Sequence, residues 1–119
     1  MAEYLIYHNP RCSTSRNTLA LLHERGIVPQ VVDYLKTPPD EATLLALAQR
    51  MGEPLWHLLR EKEPLCAELD LVHGSCSEAE LARTMVRHPV LINRPIVSGP
   101  LGARLCRPFE RVLEILPAA

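Results

Sequence analysis

Two kinds of apolar pattern follow one another along the first third of the chain. A short continuous apolar run at residues 4–7 predicts a buried strand, and residues 14–25 carry the three- and four-residue spacing of a helix that ends at Gly26. Residues 28–34 are again rich in β-branched side chains and predict a second strand. Strand, helix and strand form a βαβ unit with a right-handed crossover, so we expect the two strands to be parallel.

The middle of the chain has the spacing of helices. The segment 37–40 (TPPD) opens a helix whose apolar stripe ends before Gly52, and residues 54–63 predict a second helix that ends at Pro64. A capping box at residues 77–80 (SEAE) starts a third helix, which stops before Pro89.

The last third returns to short β-rich runs. Residues 90–93, 95–97 and 103–106 predict strands separated by glycine-containing turns, and Pro108 opens a final helix. That helix carries four apolar residues: Val112, Leu113, Ile115 and Leu116. The order of elements predicts an α/β fold.

Composition narrows the class of protein. The 119 residues suffice for one domain, and 13 basic against 14 acidic residues make nucleic acid an improbable partner. The N-terminal residues fit neither a signal peptide nor a membrane span, so we expect a cytoplasmic protein, with a monomer as the default. The four cysteines lack the spacing of a zinc site, so we expect no metal and reduced thiols.

Cys12 lies in the turn between the first strand and the first helix. Unpaired backbone N–H groups and the helix dipole favour an anion at such a position, and a thiol there is readily ionised. Arg11, Arg16 and a protonated His8 would add positive charge, while the hydroxyl groups of residues 13–15 would hold the oxygens of a bound oxyanion. The turn therefore predicts a nucleophilic thiolate beside an anion site.

A thiolate that attacks a dianionic oxyanion needs further cations. Each pair of like charges at ~4 Å costs about 4 kcal/mol at an effective dielectric of ~20. Guanidinium groups suit this task because they stay charged and offer two parallel hydrogen bonds. The candidates are Arg60, in the predicted second middle helix, and Arg94 and Arg107, each held in extended geometry before a proline, with a cis bond plausible at Arg94-Pro95.

Four segments carry a resemblance to a known family. Residues 7–19 (YHNPRCSTSRNTL), 88–97 (HPVLINRPIV) and 100–108 (PLGARLCRP) closely resemble segments of the glutaredoxin-linked arsenate reductase (ArsC) family, and residues 58–62 (LLREK) match in register. The resemblance spans nearly the whole chain. Arg11 and Ser13 depart from it, because they stand where those reductases commonly have small residues.

The resemblance implies a fold, a reaction and a set of site residues. The fold would be a single thioredoxin-like domain over residues 1–119, with a small mixed sheet, flanking helices and a helical insertion at about 37–88. Glutathione would act as co-substrate and displace the arsenic adduct, glutaredoxin would reduce the resulting mixed disulfide, and no cofactor would be bound. The implied roles are a nucleophile at Cys12, arsenate ligands at Arg60, Arg94 and Arg107, and support of the thiolate by His8, Ser15 and Arg16.

Other interpretations of the sequence remain open. The chain also resembles the Spx transcriptional regulators that bind RNA polymerase, although it lacks their Cys-x-x-Cys switch; a general glutathione-dependent thiol oxidoreductase is a second alternative. A phosphatase-like loop needs five residues between cysteine and arginine, and Cys12 and Arg16 have three. Cys106 should face away from Arg107, and we expect Cys66 and Cys76 to be exposed or half-buried spectators, so recycling should need an external thiol.

Overall fold

The computed structural model describes residues 3–72 and 74–117. The chain forms two compact units, one from the residues up to Thr37 and those from Arg94 onward, the other from Pro38 to Asn93. The predicted single domain begins and ends at residues outside the described ranges and stays a prediction. In chain order the strands and α-helices are β1 (Leu5–His8), α1 (Ser13–Glu24), β2 (Gln30–Asp33), α2 (Glu41–Met51), α3 (Pro64–Glu68), α4 (Glu78–Arg87), β3 (Ile96–Gly99) and β4 (Gly102–Leu105).

A four-stranded mixed sheet in the order β2-β1-β3-β4 forms the first unit. Strand β1 pairs in parallel with β2, as the βαβ pattern predicts, and antiparallel with β3, which continues antiparallel into β4. The central position of β1 matters for the site, because the turn that follows it emerges at the middle of the sheet.

The core of the first unit lies between the sheet, helix α1 and the C-terminal segment. Tyr4 and Gly99 approach each other so closely there that a Cβ atom at Gly99 would overlap the tyrosine ring. The Tyr4 hydroxyl donates a hydrogen bond of 3.3 Å to the backbone carbonyl of Ile115. The buried members of this core are Tyr4, Ile6, Leu22, Val97, Cys106, Val112, Ile115 and Leu116.

In the C-terminal segment, where the sequence predicts a helix after Pro108, residues Phe109–Ile115 form a 3-10 helix, and Leu113 is 39% exposed. The tighter 3-10 turn changes which side chains share a face, because side chains three residues apart line up in it. Val112 and Ile115, three residues apart, are buried accordingly.

The second unit consists of helices and connecting segments. Helix α2 begins after Asp40, whose side chain accepts a hydrogen bond from the backbone N–H of Thr43, and it ends at Gly52 in the left-handed conformation. The capping box before α4 is also confirmed, since the Ser77 hydroxyl accepts from the backbone N–H of Glu80. Both helix starts follow the sequence signals.

Two predictions for this unit are wrong. Residues 54–63 were expected to form a helix that ends at Pro64, but only Leu55–Leu58 form a 3-10 helix, and Pro64 starts the short helix α3. Proline fits the first turn of a helix as well as the position after its end, so the signal is ambiguous. Residues 90–93 form no strand, because Pro89–Leu91 are a 3-10 helix and Ile92 makes a single antiparallel bridge with Leu59.

Candidate active site

The turn after β1 holds Cys12 at the N-terminus of helix α1. Cys12 has an extended backbone and is the residue that caps the helix; its N–H donates to the carbonyl of Asn9 at 3.0 Å, and its own carbonyl accepts from the N–H of Arg16 at 3.0 Å. Its side chain is partly exposed. The thiol is therefore accessible to solvent, in a turn held by backbone hydrogen bonds on both sides of Cys12.

Two arginines that follow far along the chain bring positive charge to the sulfur. The Nη1 atom of Arg107 lies 3.8 Å from Cys12 Sγ and also donates to the backbone carbonyl of Arg94 at 3.0 Å. The Arg94 side chain hydrogen-bonds the thiolate as well. Both arginines precede prolines in cis peptide bonds, one of which the sequence suggested. The first unit thus gathers Cys12, Arg94 and Arg107.

Cys12 is readily ionised as a result. Burial opposes the thiolate, but a backbone hydrogen bond from Ser15 and the side chains of Arg94 and Arg107 outweigh it and lower the pKa of Cys12 from 9.0 to about 7. Near neutral pH about half of the molecules therefore carry the thiolate.

His8 and Ser15 form a buried pair behind the turn. His8 Nδ1 and Ser15 Oγ are 2.6 Å apart, and the same hydroxyl accepts from the backbone N–H of Asn9 at 3.1 Å. Burial lowers the pKa of His8, Asp33 opposes this, and Arg16 adds to the lowering. This direction favours the neutral form of His8 and does not support the positive charge that a protonated His8 would add; its contact is with Ser15.

Asn9 and Tyr34 brace the turn, and neither was predicted from the sequence. Asn9 Oδ1 accepts from the backbone N–H of Arg11 at 3.0 Å, while Asn9 Nδ2 donates to the hydroxyl of Tyr34 at 3.4 Å. Asparagine before proline commonly starts a turn by bonding to a backbone group two residues on, so the Asn9-Pro10 step was the available signal. Arg16 closes the turn from its other side, since its Nη1 donates to the carbonyl of Pro10 at 2.8 Å.

Arg60 belongs to the second unit. It lies outside any helix, after the 3-10 helix Leu55–Leu58, and its N–H donates to the carbonyl of Leu91 at 2.7 Å. Its Nε atom is buried and 3.5 Å from Glu63 Oε1, yet it makes no hydrogen bond among the described residues. The Arg60 carbonyl accepts from the thiol of Cys66 at 3.3 Å.

The remaining cysteines differ from Cys12 in their surroundings. Cys106 is completely buried in the core, and burial raises its pKa to about 12. Cys66 is also buried, contrary to the expected exposed or half-buried state, and burial with the nearby Glu61 raises its pKa. Cys76 is half-buried.

Within residues 3–72 and 74–117, no three histidine, cysteine or acidic side chains come together as a metal site would require. None of the helices in these ranges combines the length and apolar character of a membrane-spanning segment.

Similarity to known proteins identifies the family of this chain. The fold and the site define a protein of thioredoxin-like architecture in which arginine side chains hydrogen-bond a partly exposed cysteine at the start of a helix. A model of the ArsC family matches residues 7–115, and the chain belongs to this family.

Relatives of this chain include proteins of assigned and unassigned activity. The arsenate reductase of Rhizobium meliloti (strain 1021) is 54% identical over 112 residues, which are 94% of this chain and 80% of that protein. The Escherichia coli (strain K12) protein named uncharacterized protein YfgD is 52% identical over 112 residues, covering 93% of this chain and 94% of its own length. The solved arsenate reductase from Vibrio cholerae has 47% identity and a TM-score of 0.91, with 97% of this chain and 98% of that chain covered.

Proposed function

We propose that this chain is an arsenate reductase in which Cys12 forms a thiol–arsenate adduct, glutathione displaces the arsenic as arsenite, and glutaredoxin restores the thiol. One observation carries the proposal: Cys12 has a pKa of about 7 and is hydrogen-bonded by Arg94 and Arg107 at the start of a helix. That arrangement suits attack by sulfur on a bound anion, because the nucleophile is ionised where anions are stabilised.

The first step joins sulfur to arsenic. The Cys12 thiolate attacks arsenate, an S–As bond forms, and one arsenate oxygen leaves as water after taking up protons from the solvent. Negative charge grows on the remaining oxygens, and the guanidinium groups of Arg94 and Arg107 stabilise it with hydrogen bonds. Ser15 keeps the thiolate in place through its backbone N–H, with its side chain held by His8.

Arg60 is the third cation of the proposal. Its assignment rests on the family resemblance, and its own surroundings support it. The buried Nε atom of Arg60 has no hydrogen bond among the described residues, and a buried donor without an acceptor is costly to a fold. Binding of an oxyanion would supply that acceptor.

Recycling uses an external thiol. Cys106 lies in the core with a pKa of about 12, and the Cys66 thiol is buried with a raised pKa, so neither is suited to attack an adduct on Cys12. Glutathione supplies the second sulfur. The two electrons that reduce arsenic come from the two sulfur atoms, which end as a mixed disulfide. The cytoplasm, where glutathione is kept reduced, is the compartment that suits this cycle.

The test is NADPH consumption coupled through glutathione, glutathione reductase and glutaredoxin, with arsenate present or omitted. We expect arsenate-dependent turnover by the wild type and none by Cys12→Ser. Turnover that does not depend on arsenate would instead identify a general glutathione-dependent thiol oxidoreductase. Co-purification with RNA polymerase, without thiol chemistry, would identify a regulator.

A further inference from the structure

Arg11 differs from the other cations of the Cys12 turn in what its side chain contacts. Arg94 and Arg107 hydrogen-bond the sulfur of Cys12, and Arg16 donates to a backbone carbonyl of the turn. The Arg11 side chain is exposed, and it makes no hydrogen bond or ion pair with the residues that the structure describes. Its guanidinium group is therefore available for a ligand.

The backbone of Arg11 is nevertheless held firmly. Its N–H donates to Asn9 Oδ1 at 3.0 Å, and Asn9 itself is buried and bound to the hydroxyl of Tyr34. The neighbouring Cys12 N–H donates to the Asn9 carbonyl at 3.0 Å. One asparagine thus fixes the Arg11 backbone directly beside Cys12, while the long side chain is exposed to solvent.

The co-substrate of the proposed reaction carries charges that suit this position. Glutathione has two carboxylates and one ammonium group, so its thiolate form has a net charge of −2. It must approach an adduct that is itself anionic, and in that state Arg94 and Arg107 are occupied by the oxyanion and the Cys12 sulfur. A further cation at the edge of the site offsets this repulsion.

We propose that Arg11 binds a carboxylate of glutathione and makes the enzyme selective for anionic over neutral thiols. This inference rests on the proposed function. In the step concerned, the glutathione thiolate attacks the Cys12 sulfur, the S–S bond forms and the S–As bond breaks. The bonding electron pair stays on arsenic, which passes from As(V) to As(III) and leaves as arsenite after protonation by the solvent. Arg11 takes no part in the bond changes and contacts only the distant carboxylate.

The experiment compares two thiols that differ chiefly in charge, glutathione and its diethyl ester. Single-turnover arsenite release is measured against thiol concentration for wild type, Arg11→Ala and Arg25→Ala. Arg25 is the matched control, since it is an exposed arginine at the other end of helix α1. We expect Arg11→Ala to lower the second-order rate constant with glutathione about threefold to tenfold and to leave the ester rate unchanged.

Added salt gives a second signature. It should slow the wild-type reaction with glutathione and have less effect on Arg11→Ala, because exposed charge pairs are screened. Arg25→Ala should match the wild type with both thiols. An equal loss with glutathione and with the ester would overturn the proposal, as would an unchanged rate with glutathione.

A disulfide-exchange assay separates this inference from the arsenate assignment. Without arsenate, the Cys12 thiolate attacks glutathione disulfide, a mixed disulfide forms and a glutathione thiolate leaves; peptide mass spectrometry follows the product at Cys12. Arg11→Ala should slow this exchange with glutathione disulfide and not with its ethyl ester. If the wild type releases no arsenite, the proposed function fails, and the exchange rates still decide the role of Arg11.

Discussion

Replacing Arg107 by glutamine should raise the pKa of Cys12. The substitution removes a positive charge 3.8 Å from the sulfur and keeps a shorter side chain that still carries an N–H donor. The attraction between unit charges at this distance is roughly 1 kcal/mol in a water-like dielectric and roughly 4 kcal/mol at an effective dielectric of about 20. Because Cys12 is partly exposed, the lower figure governs, and about 1.4 kcal/mol corresponds to one pH unit.

We therefore expect the pKa of Cys12 to rise from about 7 by about one pH unit in Arg107→Gln. The thiolate fraction at pH 7 then falls from about one half to about one tenth, so alkylation of Cys12 by iodoacetamide slows about fivefold and recovers at higher pH. Peptide mass spectrometry assigns the label to Cys12 across the titration. This separates it from the half-buried Cys76.

Arg104→Gln is the matched control. Arg104 lies on strand β4, close in sequence to Arg107, but its Nε donates to Glu114 at 2.9 Å and its charge is not among the causes of the lowered Cys12 pKa. Its loss should leave the Cys12 titration unchanged. A midpoint for Arg107→Gln that stays at the wild-type value, or falls below it, would refute the electrostatic account of the thiolate.

Three further predictions concern the anion site and the fold. We expect a fall in kcat/KM for arsenate of about 10-fold to 100-fold for each of Arg60→Lys, Arg94→Lys and Arg107→Lys, because lysine loses the two-pronged contact with the anion. Near-wild-type kinetics in all three variants would show that these arginines are not the arsenate ligands. Ser15→Ala leaves two buried polar groups without their shared hydroxyl, so the free energy of unfolding in urea should fall by about 1–3 kcal/mol, whereas an unchanged urea midpoint would argue against that network. Burial raises the pKa of Cys106 from 9.0 to about 12, so its thiol supports the fold below pH 9 and loses that contribution as pH rises towards 12. The unfolding free energy of Cys106→Val should therefore decline less steeply above pH 9 than that of the wild type. Parallel curves for the two proteins would contradict this.

Local signals in the sequence predicted the starts of helices α2 and α4 and the place of Cys12 before helix α1. The Asp40 cap, the Ser77 capping box and the turn that carries Cys12 each depend on residues within a few positions of one another, and the structure has all three. Proline was less informative, because the same residue either ends a helix or starts one. Pro64 starts one, and Arg60, which was predicted within the helix before Pro64, lies outside any helix.

The environment of Cys12 depends on residues far apart along the chain, which periodicity does not encode. Arg107 is 95 residues from Cys12, and they meet because β1 lies at the centre of the sheet next to β3, which pairs with β4 just before Arg107. The patterns predicted all four strands and the parallel pairing of β1 with β2, but not the pairing of β1 with β3 that brings Arg107 close to Cys12. The lowered pKa of His8 was hidden for the same reason, since it depends on burial by elements that fold over the imidazole. Arg11 owes its position to local sequence, because its backbone N–H is held by Asn9, two residues before it. A substitution of Arg11 should therefore change the selectivity between anionic and neutral thiols without moving Arg94 and Arg107, which come from the far end of the chain.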